Sequence, residues 1–253
     1  MKIESLVVCL VIYLNVNSCS YEEKNTINYS GYYDFKKEKL KIQGVLINGN
    51  EEGDWKYYDE FGNLVQNGNY KNGYQVDNWY YKFPDIADSI INWKHVSVPN
   101  KIEFSLPNSY FESNGNSSVL KYAALDTINA SSFTISVLEN RNKLFIDSIF
   151  DMNLNEFRED CILESAESNI IKGNDLLYYF DEFLLTHKER KTKMSMYMIY
   201  CVCEKQIVVF THIVKQKNSA KGKFLLGEIF YHSKWNSKRI ANPFTNIDEI
   251  VKR

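Results

Sequence analysis

The sequence predicts an α+β protein: antiparallel β-hairpin repeats near the N-terminus, then an α/β domain whose antiparallel sheet packs against two helices. Three observations carry this expectation. From Gly44 to Phe83 the chain matches itself when slid by 24 residues, and each unit carries an Asn-Gly turn signal. Beyond Pro84, apolar residues alternate in short runs bounded by turn residues, which is the period of strands. Two later segments switch to a spacing of three and four, the period of an amphipathic helix.

The chain opens with Lys2 and an apolar core from Leu6 to Val16, broken only by Tyr13 and Asn15. That core has the length of an export signal and is too short to span a bilayer. Its end, Val16-Asn17-Ser18-Cys19, resembles a bacterial lipoprotein signal, in which a small residue admits the signal peptidase and the cysteine thiol carries a diacylglycerol. The resemblance implies that residues 1–18 are removed, that Cys19 is the lipidation site, and that residues 19–30 are a tether to a membrane. Lipid chains contribute about 0.8 kcal/mol per buried methylene, so two or three of them anchor a folded domain durably. Ser20-Tyr21-Glu22-Glu23 resembles the serine-plus-acidic export signal of surface lipoproteins. It implies the bacterial outer membrane or cell surface, with the periplasmic face of a membrane as the alternative.

With 253 residues and 15% aromatic content the chain has the apolar surface for one or two cores. Lys plus Arg number 30 against 32 Asp plus Glu; removing residues 1–18 takes one Lys and one Glu, so the net charge stays at -2. This balance gives no support to nucleic-acid binding. Of five cysteines, Cys9 leaves with the leader and Cys19 is assigned to lipid, which leaves Cys161, Cys201 and Cys203. An odd number does not indicate a disulfide framework, although one bridge from Cys161 with one free thiol is open.

Residues 31–83 form the repeat module. Sliding by 24 residues places Gly44 on Gly68, Asn48-Gly49 on Asn72-Gly73, Trp55 on Trp79 and Tyr57 on Tyr81. Each unit reads as a hairpin, because a two-residue Asn-Gly turn supplies the positive φ needed at both central positions. Tryptophan and the tyrosine two residues on share one sheet face and can stack along successive hairpins. The pattern carried by Gly44, Leu46, Asn48, Gly49, Asn50, Gly53, Trp55, Tyr57 and Tyr58 resembles a MORN-type repeat, in the variant also found in proteins described as antitoxins. It departs at Asp77, which stands where Gly53 stands in the first unit, and at Lys82, which replaces Tyr58, so the second unit reads as a cap. Trp55, Tyr57, Trp79 and Tyr81 are packing residues on one reading and, on the other, an exposed aromatic strip that binds a ligand, lipid or glycan.

Residues 84–93 read as a linker containing Trp93, and 94–253 as the second domain. Lys101 to Leu106, Val119 to Leu125, Phe133 to Leu138, Leu176 to Leu185, Met194 to Cys203 and Ile207 to Val214 have strand patterns. The first helix is expected from about Leu154 to Ser165, where Phe150, Leu154, Phe157 and Cys161 form one stripe; the second runs from about Ala220 to Trp235. This order, with Ile102-x-Phe104-x-Leu106-Pro107 at its start, is similar to the PsbP/Mog1-like α/β fold to which the DcrB-like proteins also belong. Members of that group serve mostly as assembly or accessory factors, so the resemblance implies no reaction.

Candidate chemistry is sparse. Cys201 and Cys203 lie two apart and face one side of a strand, where they are either small core residues or a soft-metal pair with His212 or His187. The histidines are His95, His187, His212 and His232, with no Gly-x-Ser-x-Gly elbow and no glycine-rich phosphate loop. Glu182, His187, Glu189 and Arg190 gather near a strand end that reads as a solvated turn, and Asp181 with Glu182 would pair only in a cleft. No catalytic, metal or cofactor site is expected. The function expected is therefore a membrane-anchored envelope lipoprotein that binds a protein partner or envelope component without catalysis. The alternative is an immunity or antitoxin protein that masks a toxin; an enzyme comes third.

Overall fold

The computed structural model describes residues 24–83, 87–98, 102–113, 117, 119–140, 151, 159–172, 177–203 and 205–241. The leader 1–18, Cys19 and residues 154–158 of the first expected helix lie outside the described residues.

The first sheet is built by seven consecutive antiparallel strands: β1 (Thr26–Tyr32), β2 (Leu40–Ile47), β3 (Asn50–Tyr58), β4 (Leu64–Lys71), β5 (Tyr74–Tyr81), β6 (Ser89–Val98) and β7 (Ile102–Pro107). Asn48-Gly49 and Asn72-Gly73 close two of its hairpins, with φ of +52° and +80° at the first turn and +53° and +81° at the second. Both central residues are left-handed, as the sequence signal requires. Within each unit the ladder skips a glycine. Gln43 pairs with Lys56 and Val45 with Glu52, so Gly53, Asp54 and Trp55 bulge opposite Gly44 alone. The second unit repeats the bulge with Asp77, Asn78 and Trp79 opposite Gly68. Asp77 takes the left-handed position at φ +58° that Gly53 takes at +67°, so the departure from the repeat pattern leaves the backbone unchanged.

The sheet does not stop with the repeats. Trp93 and its neighbours, expected in a linker, form the middle of β6, which pairs with β5 from Asp77↔Trp93 to Tyr81↔Ser89. β7 extends it, and the short hairpin β15 (Lys234–Trp235) and β16 (Lys238–Arg239) returns from the far end of the chain to complete nine strands beside β7.

The second sheet has seven antiparallel strands: β8 (Phe111–Glu112), β9 (Leu120–Asp126), β10 (Ser131–Glu139), β11 (Cys161–Lys172), β12 (Leu177–His187), β13 (Lys193–Cys203) and β14 (Gln206–Lys215), ordered β11-β12-β13-β14-β10-β9-β8. The expected α+β domain with two helices is therefore corrected: the described chain is mostly two antiparallel sheets, with α1 (Ser219–Tyr231) the helix described along its length, while of the first expected helix only Glu159 and Asp160 are described as helical. The first expected helix fails from Cys161 onward, because 161–172 is a strand paired with β12 along its length. The four-residue spacing that ended at Cys161 gives way to alternation. Cys161 is buried, Ile162 exposed, Leu163 half-buried and Glu164 exposed, as on an edge strand with one face covered. The second helix ends at Tyr231, and Lys234 and Trp235 pass into β15.

α1 wedges between the sheets. Phe224 meets Tyr81 of the first sheet and Phe83 just beyond β5 edge-on at 5.0 and 4.9 Å, while Phe230 meets Phe210 and Tyr178 of the second at 5.4 and 5.1 Å. Away from the helix the sheets touch directly, with Phe104 of β7 against Tyr122 and Phe133 at 5.1 and 5.7 Å. One continuous apolar core thus runs through both sheets and the helix. A smaller core covers the opposite face of the second sheet around Phe183, Met196, Tyr200 and Ile207.

Candidate functional site

A pocket of about 360 Å³ opens where the end of β7, the β9–β10 turn and the first turn of α1 meet. Each element brings one part of its floor. β14 alternates, and His212 falls on the face turned to the core, where it is fully buried. Pro107 ends β7 in a turn closed by the Tyr110 amide donating to the Pro107 carbonyl at 3.0 Å, and Tyr110 points inward. Ser131 opens β10. Gly222 lets the helix lie close to β14, since a Cβ there would come within 2.7 Å of Val214. Its carbonyl reaches His212 Nδ1 at 2.8 Å.

This contact sets the whole hydrogen-bond chain. A carbonyl only accepts, so Nδ1 carries the proton, and burial keeps the ring neutral by pushing His212 down to about 4. Nε2 is therefore an acceptor, and the Tyr110 hydroxyl donates to it at 2.6 Å. The Ser131 hydroxyl donates in turn to Tyr110 Oη at 2.7 Å. Burial raises the Tyr110 hydroxyl to about 12, partly offset by Ser131. Asp126 stands beside them. Burial works to raise its carboxyl, but the side chain and backbone N–H of Asn129, the Ser109 hydroxyl and the Ile128 N–H hold it below its ordinary value.

The chemistry available follows from what is already committed. Both nitrogens of His212 are engaged, its Nδ1 on a backbone carbonyl and not on a carboxylate, and the Ser131 proton faces a phenol. Among the described groups of the floor, the hydroxyl aimed at the His212 lone pair is the buried phenol of Tyr110, and the Ser131 hydroxyl meets that phenol and not the imidazole. The mouth offers hydrogen-bonding groups and a cation instead: Asn108, Asn129, Asn218 and Lys221, over an apolar wall of Ile90, Ile91 and Leu225.

The residues expected from sequence lie elsewhere. Trp55, Tyr57, Trp79 and Tyr81 do come together on one face, but that face is the core: Trp55 and Trp79 are 0% exposed and Tyr81 is 2% exposed. Trp79 stacks with Tyr81 at 6.1 Å and meets Tyr70 edge-on at 4.7 Å, and both indole N–H groups donate to backbone carbonyls. Cys201 and Cys203 are buried free thiols with their sulfurs 3.7 Å apart, and Cys161 lies in the other core, across the sheet from them. Among the described residues no cluster of His, Cys, Asp and Glu could hold a metal ion. His187 accepts from the amides of Glu189 and Arg190 and so caps the β12–β13 turn. Asp181 and Glu182 face opposite sides of β12, Asp181 toward Ser168 and Glu182 toward Lys223. Tyr110, Ser131 and Gly222 were not legible as partners of His212. They are up to 102 residues apart in the chain and follow no spacing rule.

No protein-family model matches the chain, and no curated protein matches it. Among solved structures, the cyanobacterial PsbP protein (CyanoP) from Synechocystis sp. PCC 6803 is 13% identical, covering 61% of this chain and 97% of its own, at a TM-score of 0.44. A protein of unknown function from Pseudomonas aeruginosa is 11% identical, covering 57% and 88%, at a TM-score of 0.30. At these scores neither likeness carries a functional assignment.

Proposed function

We propose that this chain is a lipid-anchored envelope protein whose two-sheet body is a non-enzymatic binding module. The observation that supports binding over catalysis is the hydrogen-bond chain Ser131–Tyr110–His212–Gly222, which ties the buried Tyr110 and His212 to the backbone and to Ser131. The mouth presents amide side chains, the Lys221 cation and an apolar wall, a lining suited to holding a ligand. Location rests on the leader and on Cys19, as read from the sequence.

The test is intact mass and membrane fractionation in the native host, beside a Cys19→Ala variant. The wild type should lack residues 1–18, gain lipid mass and sediment with membranes, and the variant should do none of these. If both are soluble and retain the leader, the envelope reading fails, and a protein that masks a toxin becomes the reading to pursue through its co-purifying partner.

A further inference from the structure

α1 turns a carboxyl toward the repeat sheet where no cation among the described residues pairs with it. Glu228 is 1% exposed. Its Oε2 accepts from Gln75 Nε2 at 2.6 Å, from Gln66 Nε2 at 3.3 Å and from the Tyr81 hydroxyl at 3.4 Å. Its Oε1 is buried with no hydrogen-bond partner, and so is Oε1 of Gln75. A buried polar atom left unpaired is costly, so two orphans on two residues already joined by one bond need a common explanation. Two acceptors cannot satisfy each other. One proton between them satisfies both.

We propose that Glu228 is held as the neutral acid and that its Oε1–H donates to Gln75 Oε1, closing a two-bond acid–amide pair that fastens α1 to β5 while the proton is present. The surrounding groups agree with a neutral acid. From the first sheet, Tyr57, Tyr70 and Tyr81 face the carboxyl with hydroxyls. At the C-terminal cap of its own helix stands His232, whose Nδ1 donates to the Glu228 carbonyl at 2.8 Å and whose Nε2 accepts from Tyr70 at 2.7 Å, so it is neutral and no counter-ion. Glu103 of β7 is turned to Tyr74 and His95. Tyr197 of β13 and His212 of β14 meet α1 at Ser219 and Gly222, more than a turn away, and Lys223 pairs with Glu182. Burial pushes the carboxyl up to about 7, against the hydrogen bonds from Gln75, Tyr81 and Gln66. The sign follows. Stability from this group is fully present below the ordinary value of 4.5 and is lost as pH rises through about 7. The join between helix and repeat sheet is thus a proton-dependent fastening, whatever the pocket binds.

Two measurements test it. In protein carrying 13C-labelled glutamate, the Glu228 carboxyl carbon, assigned through its own backbone correlations, should titrate with a midpoint near 7, well above the exposed glutamates. Glu228→Gln replaces the acid by an amide that can make both bonds at any pH. Its unfolding midpoint relative to wild type should rise between pH 4.5 and 7 and stay level above. A carboxyl that titrates with the exposed glutamates, or a variant whose pH profile matches the wild type, would overturn the proposal. Should Glu228→Gln fail to fold, the carbon titration of the wild type decides alone.

Discussion

The indole of Trp79 lies on the α-carbon of Gly68, and 24 residues earlier Trp55 lies the same way on Gly44. Neither glycine is there for a turn. Each sits in a strand opposite a bulge, and its missing side chain is the space the ring occupies; a Cβ built on either would fall inside the ring.

Gly68→Ala should therefore destabilise the protein by roughly 3 kcal/mol, the upper range for overpacking a filled core. Gly227→Ala is the matched control. Nothing lies within 4 Å of its added Cβ, and a helix-interior alanine contributes up to about 1 kcal/mol over glycine. Urea unfolding of both variants checks this, and equal midpoints would refute the seat.

Arg239 of β16 reaches the buried carboxylate of Glu51 on β3. Removing one partner strands the other, so Arg239→Ala should cost about 3–5 kcal/mol. Glu51→Gln in the same chain should recover a large part. If the double variant is no more stable than the single one by urea unfolding, the pair does not hold the returning hairpin.

Acid should weaken the fold through its buried histidines. Burial pushes His212 and His232 from 6.5 down to about 4, so the unfolded chain takes up protons first. Their contribution is complete above about 6.5 and is lost as pH falls toward 4, on the order of 3 kcal/mol for each ring. Glu228 has the opposite sign over much of this range, so the clean measurement uses the Glu228→Gln background. There the unfolding midpoint should fall steadily from pH 7 to 4.5; a level profile would count against neutral histidines.

Cys201 and Cys203 should resist alkylation in the folded protein. Burial raises the Cys201 thiol well above its ordinary value, and the neighbouring Cys203 raises it further. Thiolate is the reactive species, so both positions should label only after unfolding. Mass spectrometry of native and unfolded samples checks this, and a mass two hydrogens short would reveal a bridge instead.

The parts of the fold legible in the sequence are those set by neighbours in the chain. Asn48-Gly49 and Asn72-Gly73 close their turns by local backbone geometry, and Leu226, Ile229 and Phe230 face inward on α1 by helical period alone. Cys161 misled because four spaced apolar residues look alike whether a helix or a strand follows; the ladder from Cys161↔His187 to Lys172↔Leu177 decides it, and that partner lies beyond the segment's own sequence. Trp93 looked like a connector because Pro84 interrupts the pattern, yet pairing with Asp77 carries the sheet across the break. The pocket was hidden for the same reason. His212 is defined by Tyr110 and Gly222, which only the docking of a turn and a helix onto β14 brings together.

The glycine seat also works as a ruler. One unit of 24 residues adds two strands, about 9.5 Å of sheet width, and returns the chain to the same phase with its tryptophan on the same face. The donors that reach Glu228, namely Gln66, Gln75 and Tyr81, all belong to β4 and β5. Hairpins inserted ahead of β1 would lengthen the sheet from its outer edge and leave the helix contact untouched, whereas an insertion between β5 and β6 would carry that contact out of reach. The helix contact thus tolerates growth ahead of β1 and forbids it between β5 and the strands that follow.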